Sequence, residues 1–582
     1  MTPKRRRSPG GGRFTFILLL CASLLLGIVI RLVWVQIVAA PEYAAKATQQ
    51  RQRDIVLPAR RGTIYDREGE PLAVSVDAKT VWASPNTIKD KPATAAAIAS
   101  VLGGSLKDYE AELAKDTGFV YIARGLDVDV AKRLEALGIK GIGFLDDSRR
   151  MYPSGELACQ TLGFVGNEGH GLAGIEKRYD DVLGGSPGLL VGERDPYGRP
   201  IPGGVQKSFD PVDGHDIVLT IDKDIQYHAQ TGLSEAVKKW GAKGGSVVVM
   251  NPRNGEIYAM ASTPGFNPND YKKADPEGFR NRPLADAYEP GSTIKSVTAA
   301  AVIDKGLFTP KSMFELPSTL TIAGRTIHES HDRGTVHWSL SDIVTKSSNI
   351  GAVKLGLKLG KQGLFDYFKA FGLTEVTGVD YPGEARGWLP KPSLWSASSI
   401  ANIPFGQGLS ATPLQLCRAV GALANGGELV TPHFLMKVPQ DSSMELSWPK
   451  RRAVSAETAK TTTQMLKNVV IEGTGKEAAV PGYEVAGKTG TAQVALKNGL
   501  GYAEDTYIAS FIGYLPADDP QVLISVKIDE PTNAIFGGTV AAPLFSVLGQ
   551  FSVEHLKIPP STAKSEATSG SPKPALTPSS GQ

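Results

Sequence analysis

The stretch YEPGSTIKS, Tyr288–Ser296, places a serine and a lysine three positions apart, directly after a Pro-Gly pair. Pro and Gly are typical of a loop, so Ser292 is predicted to open a helix that also carries Lys295. Positions i and i+3 of a helix share one face, with Cβ atoms about 5–6 Å apart, so the Lys295 amine can reach the Ser292 hydroxyl. This spacing suits a nucleophile and its base, but a Ser-x-x-Lys tetrapeptide alone also occurs by chance.

Two further motifs make chance a poor explanation. Ser347-Ser348-Asn349 begins 55 positions after Ser292, and Lys488-Thr489-Gly490-Thr491 begins 196 positions after it. Ser-x-x-Lys, Ser-x-Asn and Lys-Thr-Gly in this order are typical of enzymes that form an acyl intermediate on serine. The three motifs are predicted to lie at a helix start, in a loop between helices and on a strand.

The residue types indicate how such a site works. A serine hydroxyl needs a base, and lysine serves only when its amine is neutral, a state that burial and a nearby positive charge favour. Lys488 is predicted to supply that charge to Lys295. Ser347 is predicted to relay a proton to the leaving amine, and Asn349 to hold the acyl chain through its amide.

The strand that carries Lys488 is predicted to bind substrate as well. An extended peptide can add to a sheet edge, and Gly490 is expected to let that peptide approach closely. The hydroxyls of Thr489 and Thr491, together with the Lys488 ammonium, suit a substrate carboxylate.

Charge and hydropathy are unevenly distributed along the 582 residues. The net charge of +4 implies no whole-chain attraction to nucleic acid. Residues 1–13 hold five basic residues and no acidic one, and the apolar run at 14–38 is long enough to cross a bilayer core of about 30 Å. This order predicts a cytoplasmic tail, an anchor, and a catalytic part outside the cytoplasm. A cleaved signal peptide is the rival interpretation, but the run exceeds the usual apolar segment of about 7–15 residues.

Two folded regions and a tail are predicted after the anchor. Residues 39–205 have short elements punctuated by Gly and Pro, which indicate a structural or docking domain. Residues 206–556 begin and end with strands, around a mostly helical stretch at 295–480. Strands from both ends of a domain with helices between them predict an α+β fold. Residues 557–582 are rich in Pro, Ser, Thr, Ala and Lys, and predict a disordered tail.

Three other motifs are weaker candidates. GGSPG at 184–188 matches a nucleophile elbow, but Pro187 has no N–H to donate to an oxyanion. HESH at 328–331 has its histidines three positions apart, whereas the zinc-protease motif needs four. EGTGKE lacks the first Gly of a phosphate loop and has Glu477 where Ser or Thr would bind magnesium. No metal and no cofactor are therefore predicted.

With these motifs in view, the chain resembles a class B penicillin-binding protein over roughly residues 14–545. It is most similar to the division-specific (FtsI) type. RGTIYDREGEPLAVSV, RMYPSGELACQTLGFVG and GHGLAGIEKRYDDVLGG resemble the signatures of the pedestal domain of that family. The transpeptidase landmarks then follow in family order: DIVLTIDKDIQ, AMASTPGFNPN, YEPGSTIKS, KSSNIG, FGQGLSATPLQ, AGKTGTAQ and GGTVAAPLF.

The resemblance implies both a fold and an activity. The implied fold is one transmembrane helix, an elongated pedestal of the dimerisation type, and a transpeptidase domain like that of serine β-lactamases, an antiparallel sheet with a helical subdomain. The implied activity is a serine-type D-Ala-D-Ala transpeptidase. Ser292 would attack the D-Ala–D-Ala bond of one stem peptide, and the amine of a second would take the acyl group. Backbone N–H groups of Ser292 and Thr491 would form the oxyanion hole, and β-lactams would trap Ser292.

The resemblance also implies partners and a location. The partners are peptidoglycan stem peptides on strands derived from lipid II, β-lactams, the membrane, a polytopic glycan polymerase of the FtsW type, and other divisome proteins. The implied location is the inner membrane at the division septum. A Gram-negative-type envelope is expected because no additional C-terminal repeat domain follows Phe551.

Three alternatives stay open: an elongation-specific class B transpeptidase, a penicillin-binding hydrolase or sensor, and a non-catalytic divisome scaffold. No Glu-x-x-x-Asn follows Ser347 that could place a deacylating glutamate, which argues against a class A β-lactamase. The intact motif residues argue against a scaffold.

Overall fold

The computed structural model describes residues 11–43, 46, 52–193, 206–441, 443–496 and 501–561. Most of the predicted basic tail and disordered tail therefore lies outside the described residues. Contacts divide the chain into two compact units, each of them discontinuous. The first is residues 1–59, 77–148 and 186–213, and the second is residues 60–76, 149–185 and 214–582. The contiguous boundaries expected from the sequence stay a prediction.

The N-terminal helix has the properties of a membrane anchor. It runs over Gly11–Val33 and continues as a π-helical turn, Trp34–Val38. The stretch Gly12–Val38 is the one helix within the described ranges that is long and apolar enough to cross a membrane. Its large apolar side chains are exposed, as expected for a helix that is buried in lipid and not in protein.

The first unit combines two small β-structures with short helices. The strands Gln52–Leu57, Gly188–Glu193 and Gln206–Phe209 form an antiparallel sheet. The long strand Pro71–Ala83, whose residues 71–76 belong to the second unit, pairs antiparallel with Val120–Asp127 through residues 78–83. The helix Lys91–Leu102 is capped by the Asp90 side chain, which accepts from the Ala93 N–H at 3.0 Å. The remaining elements are Leu106–Ala114, Val128–Glu135 and Ile142–Met151, and the last three residues of Ile142–Met151 belong to the second unit.

A five-stranded antiparallel sheet organises the second unit. Its order is Ile257–Thr263, Gly244–Met250, Val522–Asp529, Tyr502–Leu515 and Ala486–Ala495. The strands come from both ends of the unit with helices between them, which confirms the α+β prediction. Both faces are covered: Val247 and Val249 pack in one apolar core, Val248 and Met250 in the other, following the two-residue period of a strand.

Helices cover both faces of this sheet. The longer ones are Lys223–Trp240, Lys295–Asp304, Asn349–Ala370, Pro413–Ala424, Ala456–Ile471 and Ala542–His555. Short helices are Cys159–Leu162, Gly174–Arg178, Asp180–Leu183, Arg282–Ala285, Leu340–Thr345 and Gly537–Val540. Turns of 3-10 helix are Pro268–Lys273, Pro276–Phe279, Gly291–Ile294, Pro392–Leu394, Ser399–Ala401, Ile403–Phe405 and Lys476–Ala478.

The stretch at 295–480 is less helical than predicted, because it contains a β-structure at 313–339, here called the hairpin region. Met313–Leu316 pairs with Val336–Ser339, and Thr319–Ile322 pairs with Arg325–His328. Each of these strands has four residues, too few for a clear alternating pattern. The other short strands of the unit are Ile64–Tyr65, Ile217–Leu219, Glu428–Leu429, Leu435–Lys437 and Arg451–Arg452.

The described chain stays packed beyond residue 556, where the tail was predicted to begin. Ile558 is buried in the core beside helix Ala542–His555. The Ser561 N–H donates to the Gly482 carbonyl at 3.0 Å. The last described residues therefore belong to the second unit.

Candidate active site

Ser292 lies in the 3-10 turn Gly291–Ile294, which runs directly into the helix that begins at Lys295. The turn is held by close backbone packing: the Gly291 N–H donates to the Gly406 carbonyl at 3.1 Å. A Cβ at Gly406 would lie 2.1 Å from the Gly291 oxygen, so only glycine fits there. The predicted helix start is therefore correct, with a tight turn as its first element.

The strand Ala486–Ala495, here called the Lys488 strand, passes directly beside this turn. A Cβ at Gly490 would lie 2.3 Å from Ser510 Oγ and 2.9 Å from Thr293 Cγ2. Gly490 was expected to make room for a substrate peptide. The space beside it is instead filled by the protein itself, so this glycine lets the strand pack against the serine turn.

Ser347 links the two lysines of the predicted site. Its hydroxyl lies 2.9 Å from Lys488 Nζ and 3.3 Å from Lys295 Nζ. Lys295 Nζ also lies 2.6 Å from the Ser347 carbonyl oxygen and 2.7 Å from Asn349 Oδ1. The structure thus brings Lys295, Ser347, Asn349 and Lys488 into one hydrogen-bonded cluster. Within the described residues, the half-buried Ser292 hydroxyl has no hydrogen-bond partner.

Burial controls the charge of both lysines. Lys295 is 2% exposed and Lys488 is 1% exposed. Burial lowers the pKa of Lys295 to about 7, against a smaller opposing effect of the Glu329 carboxylate. Burial lowers the pKa of Lys488 well below its usual value, and the Lys295 charge lowers it further. Burial therefore favours the neutral form of both amines, and the role of Lys488 as the positive charge beside Lys295 stays a prediction.

The Ser347 loop is held by the helices on both sides. Helix Leu340–Thr345 begins with a capping box of Ser339 and Asp342. The next helix begins at Asn349, where the Ser348 side chain accepts from the Gly351 N–H. Ser347 itself has φ +60°, a left-handed conformation that costs energy for a serine and persists only in a well-fixed loop.

The two predicted substrate threonines differ in exposure. Thr489 is buried, and its hydroxyl lies 2.6 Å from that of Thr474. Thr491 is half-buried, and its hydroxyl accepts from the Gly537 N–H at 3.2 Å. The Lys488 strand is the last strand of the sheet, so one of its edges lacks a partner strand among the described residues. That edge is the position at which a peptide can add.

The HESH segment contributes to this site, although it was considered only as a weak metal motif. The His328 carbonyl accepts from Asn349 Nδ2 at 3.0 Å, and Glu329 Oε2 accepts from the Asn349 N–H at 2.7 Å. Within the ranges that the structure covers, no group of three or more His, Cys, Asp or Glu side chains is arranged to hold a metal ion. Sequence reasoning missed Glu329 because no motif spacing connects it to Ser347.

Comparison with known families agrees with this geometry. Residues 245–548 match the model of the penicillin binding protein transpeptidase domain, and residues 56–219 match that of the penicillin-binding protein dimerisation domain. The chain belongs to the class B penicillin-binding proteins. Its catalytic unit is the serine acyltransferase domain of that family.

Relatives of this class B penicillin-binding protein match it over nearly their whole length. Stage V sporulation protein D of Bacillus subtilis is 36% identical over 94% of this chain and 86% of its own. Peptidoglycan D,D-transpeptidase FtsI of Escherichia coli is 33% identical over 91% of this chain and 90% of its own. Among solved structures, penicillin binding protein 3 of Mycobacterium tuberculosis, complexed with aztreonam, has a TM-score of 0.69 at 31% identity, covering 87% of this chain and 98% of that one.

Proposed function

We propose that this chain is a peptidoglycan D,D-transpeptidase that works through an acyl-enzyme on Ser292. The observation that carries the proposal is the buried cluster of Lys295, Ser347 and Lys488 beside the Ser292 turn. Two low-pKa amines joined by a hydroxyl can move protons to and from a neighbouring serine. Membership of the family supports the reaction class, and the arrangement of these side chains supports the roles that we propose for them.

Lys295 is the base in this mechanism. A neutral amine has two N–H groups and one lone pair, and the Ser347 carbonyl and Asn349 Oδ1 lie where they can accept both N–H groups. The lone pair is then available for the hydroxyl proton of Ser292, one helical turn away. With a pKa of about 7, a large fraction of the Lys295 amine is neutral near neutral pH.

Acylation then follows, and each proton that one group releases is accepted by another. The Ser292 oxygen bonds to the carbonyl carbon of the D-Ala–D-Ala linkage, and its proton passes to Lys295. Backbone N–H groups of Ser292 and Thr491 stabilise the tetrahedral oxyanion. The C–N bond breaks, and the leaving D-Ala amine receives a proton through Ser347. The amine of a second stem peptide then bonds to the ester carbonyl carbon, the C–O bond to Ser292 breaks, and the amine proton passes by the same path to the Ser292 oxygen.

The open edge of the Lys488 strand binds the donor peptide by strand addition. Thr489, Thr491 and the Lys488 side chain bind the terminal carboxylate. Asn349 donates one Nδ2–H to the His328 carbonyl, and the second hydrogen of that amide is positioned for the acyl chain. β-Lactams occupy the same position and acylate Ser292.

The cellular role that we propose is septal cross-linking. The support is the likeness to the FtsI protein over nearly the full length of both chains. The basic residues in 1–13 favour a cytoplasmic N-terminus, with the chain after the anchor on the other side of the inner membrane. A polytopic glycan polymerase of the FtsW type and other divisome proteins are the proposed partners. The elongation-specific role is the alternative, and a fluorescent fusion that labels the side wall instead of midcell would favour it.

An aminolysis assay tests the chemistry. The full chain in detergent is given a thioester mimic of an acyl-D-Ala donor, with increasing concentrations of a D-amino acid acceptor. Product formation should rise with acceptor, because an oriented amine avoids entropy costs worth up to about 7–11 kcal/mol. Labelling by a fluorescent penicillin should be stable and should disappear in Ser292→Ala. Rapid penicillin hydrolysis without aminolysis would indicate a hydrolase, and no labelling of the unmodified chain would indicate a scaffold.

A further inference from the structure

Glu329 is a buried carboxylate that lies beside the proposed acylation site but belongs to none of its motifs. Its side chain is 7% exposed. Oε1 accepts from the Ser348 hydroxyl at 2.5 Å and from the Arg333 guanidinium at 2.6 Å, and Oε2 accepts from the Asn349 N–H at 2.7 Å. A carboxylate removed from water needs such partners, because an unpaired buried charge strongly destabilises the fold.

Two of the partners of Glu329, Ser348 and Asn349, lie in the loop that presents the acceptors of Lys295. Ser348 caps the helix that begins at Asn349, and both residues follow Ser347 directly. Lys295 Nζ is bonded to the Ser347 carbonyl and to Asn349 Oδ1. Glu329 therefore holds the loop that orients Lys295, without touching Lys295 through a hydrogen bond itself. Its position at a helix N-terminus further stabilises the negative charge.

Arg333 keeps Glu329 in place from the other side. Its Nη1 donates to the Leu316 carbonyl at 3.0 Å, and its guanidinium carbon lies 4.7 Å from the centroid of the Trp338 ring. The Arg333 side chain is 16% exposed. A guanidinium with these contacts has few other conformations, so the ion pair with Glu329 has a defined geometry.

We propose that Glu329 is a positioning residue for acylation, which holds the Ser347–Asn349 loop against Lys295 and whose negative charge, partly offset by Arg333, sets how readily Lys295 releases its proton. This proposal rests on the proposed role of Lys295 as the base. The alternative is that Glu329 is only a buried structural group that stabilises a helix start. The two roles differ in what happens to the pH dependence of acylation.

Charged groups reach Lys295 from two directions. Lys488 approaches from the strand, and the Lys295 charge lowers the pKa of Lys488. Glu329, paired with Arg333, approaches from the hairpin region, and its charge raises the pKa of Lys295 against the larger effect of burial. Ser347 and Asn349, which contact the amine, are neutral. Loss of the Glu329 charge should therefore help Lys295 to deprotonate, and loss of the Arg333 charge should hinder it.

The test measures the acylation rate constant of the full chain with a fluorescent penicillin between about pH 5.5 and 9.5. In Glu329→Gln the rate should fall roughly 10- to 100-fold, because a displaced base is costly. The midpoint of its acidic limb should also move down by up to about one pH unit. In Arg333→Gln the midpoint should move up. Glu329→Asp keeps the charge and should lose rate with little change of midpoint. Asp332→Asn removes an exposed charge from the same segment and serves as the matched control.

Opposite shifts of the midpoint in the Gln variants of Glu329 and Arg333 would support the proposal, because general damage to the fold cannot move the midpoint in two directions. An unchanged midpoint in Glu329→Gln would overturn it, whatever the rate. If that variant does not fold, an unchanged or lowered midpoint in Arg333→Gln would overturn it equally. Failure of the underlying function is recognised separately, since Ser292→Ala would then be labelled like the unmodified chain.

Discussion

Two structural elements of the catalytic unit, here called walls, lie near Ser292: the Lys488 strand and the hairpin region. They are held in position in different ways. The Lys488 strand is fixed by a backbone ladder with Tyr502–Leu515 that keeps one register from Ala486 to Gln493. The hairpin region has strands of only four residues and is joined to the Ser347 loop by side chains, through Glu329 and its ion pair with Arg333. A backbone ladder is insensitive to most side-chain changes, whereas a contact made by charged side chains depends on each of them. Mutations should therefore act on the two walls by different mechanisms.

The largest effect on the acylation rate should come from a substitution of Lys295, whose environment both walls form. Lys295→Arg keeps the positive charge, but a guanidinium stays protonated and cannot act as a base. The penicillin acylation rate should fall by roughly 10⁴- to 10⁶-fold, as for the loss of other nucleophile–base units. Thermal melts should report whether the fold survives. Near-normal acylation by a folded Arg variant would remove Lys295 from the mechanism.

On the sheet side, Gly490→Ala should be the most damaging small change. The added methyl would overlap Ser510 Oγ and Thr293 Cγ2, so the strand must move away from the serine turn. Overpacking of this kind costs about 1–3 kcal/mol of stability, and the displacement should reduce acylation about 100-fold. Acylation kinetics and thermal melts measure the two effects.

A second substitution separates overlap from other causes. Ser510→Ala removes the nearest atom, so the double variant Gly490→Ala/Ser510→Ala should recover part of both losses. Ser510→Ala alone is the control. No recovery in the double variant would mean that Gly490 serves the approach of substrate and not the packing of the strand.

The buried amine also predicts a pH dependence of stability. The folded pKa of Lys295 is lowered to about 7 from an ordinary value of 10.5, so between these limits the unfolded chain binds more protons than the folded chain. Stability should therefore rise with pH across this window, by roughly 1 kcal/mol per pH unit for one group. Lys295→Met lacks this group, and its melting temperature should rise less between pH 7 and 8 than that of the unmodified chain. Parallel pH dependence of the two proteins would contradict the lowered pKa.

The smallest effect is expected at the rim of the hairpin region. His331 stacks on Phe536, with ring centroids 5.5 Å apart and planes at 21°. His331→Ala or Phe536→Ala should change the acylation rate by roughly two- to ten-fold, the worth of one aromatic pair. The double variant should lose no more than either single variant. Additive losses would show that the two rings act independently.

One wall is held by backbone pairing and the other by side-chain contacts. This difference also explains how much of the site could be predicted from the sequence. Ser292, Lys295, Ser347 and Lys488 could be found because the chemistry requires these residue types at fixed points of helix, loop and strand. Glu329 could not, because its link to Asn349 exists only after the hairpin region has folded. The strands at both ends of residues 206–556 and the helices between them were predicted, but the four-residue strands of the hairpin region were too short to leave a clear alternating pattern.

The electrostatics of the site was also difficult to predict from the sequence. The sequence places two lysines in the motif set but does not say which of them is more deeply desolvated. The assignment of the positive charge to Lys488 therefore stays a prediction, because burial lowers the pKa of both lysines. Likewise, the sequence shows that residue 490 is glycine, but only the structure shows that Ser510 and Thr293 pack closely against it.

The interrupted course of the chain through the second unit has a consequence for biosynthesis. Residues 60–76 belong to this unit, and residues 77–148 fold elsewhere before the chain returns. Ile64 pairs in parallel with Ile217, so its strand partner is made about 150 residues later. At about 5–20 residues per second, the early segment waits roughly 8–30 s for that partner. During that interval Leu72, which is 2% exposed in the finished protein, is open to solvent and to other nascent chains. Slow synthesis should thus favour aggregation of this protein, and a holding chaperone should increase its yield.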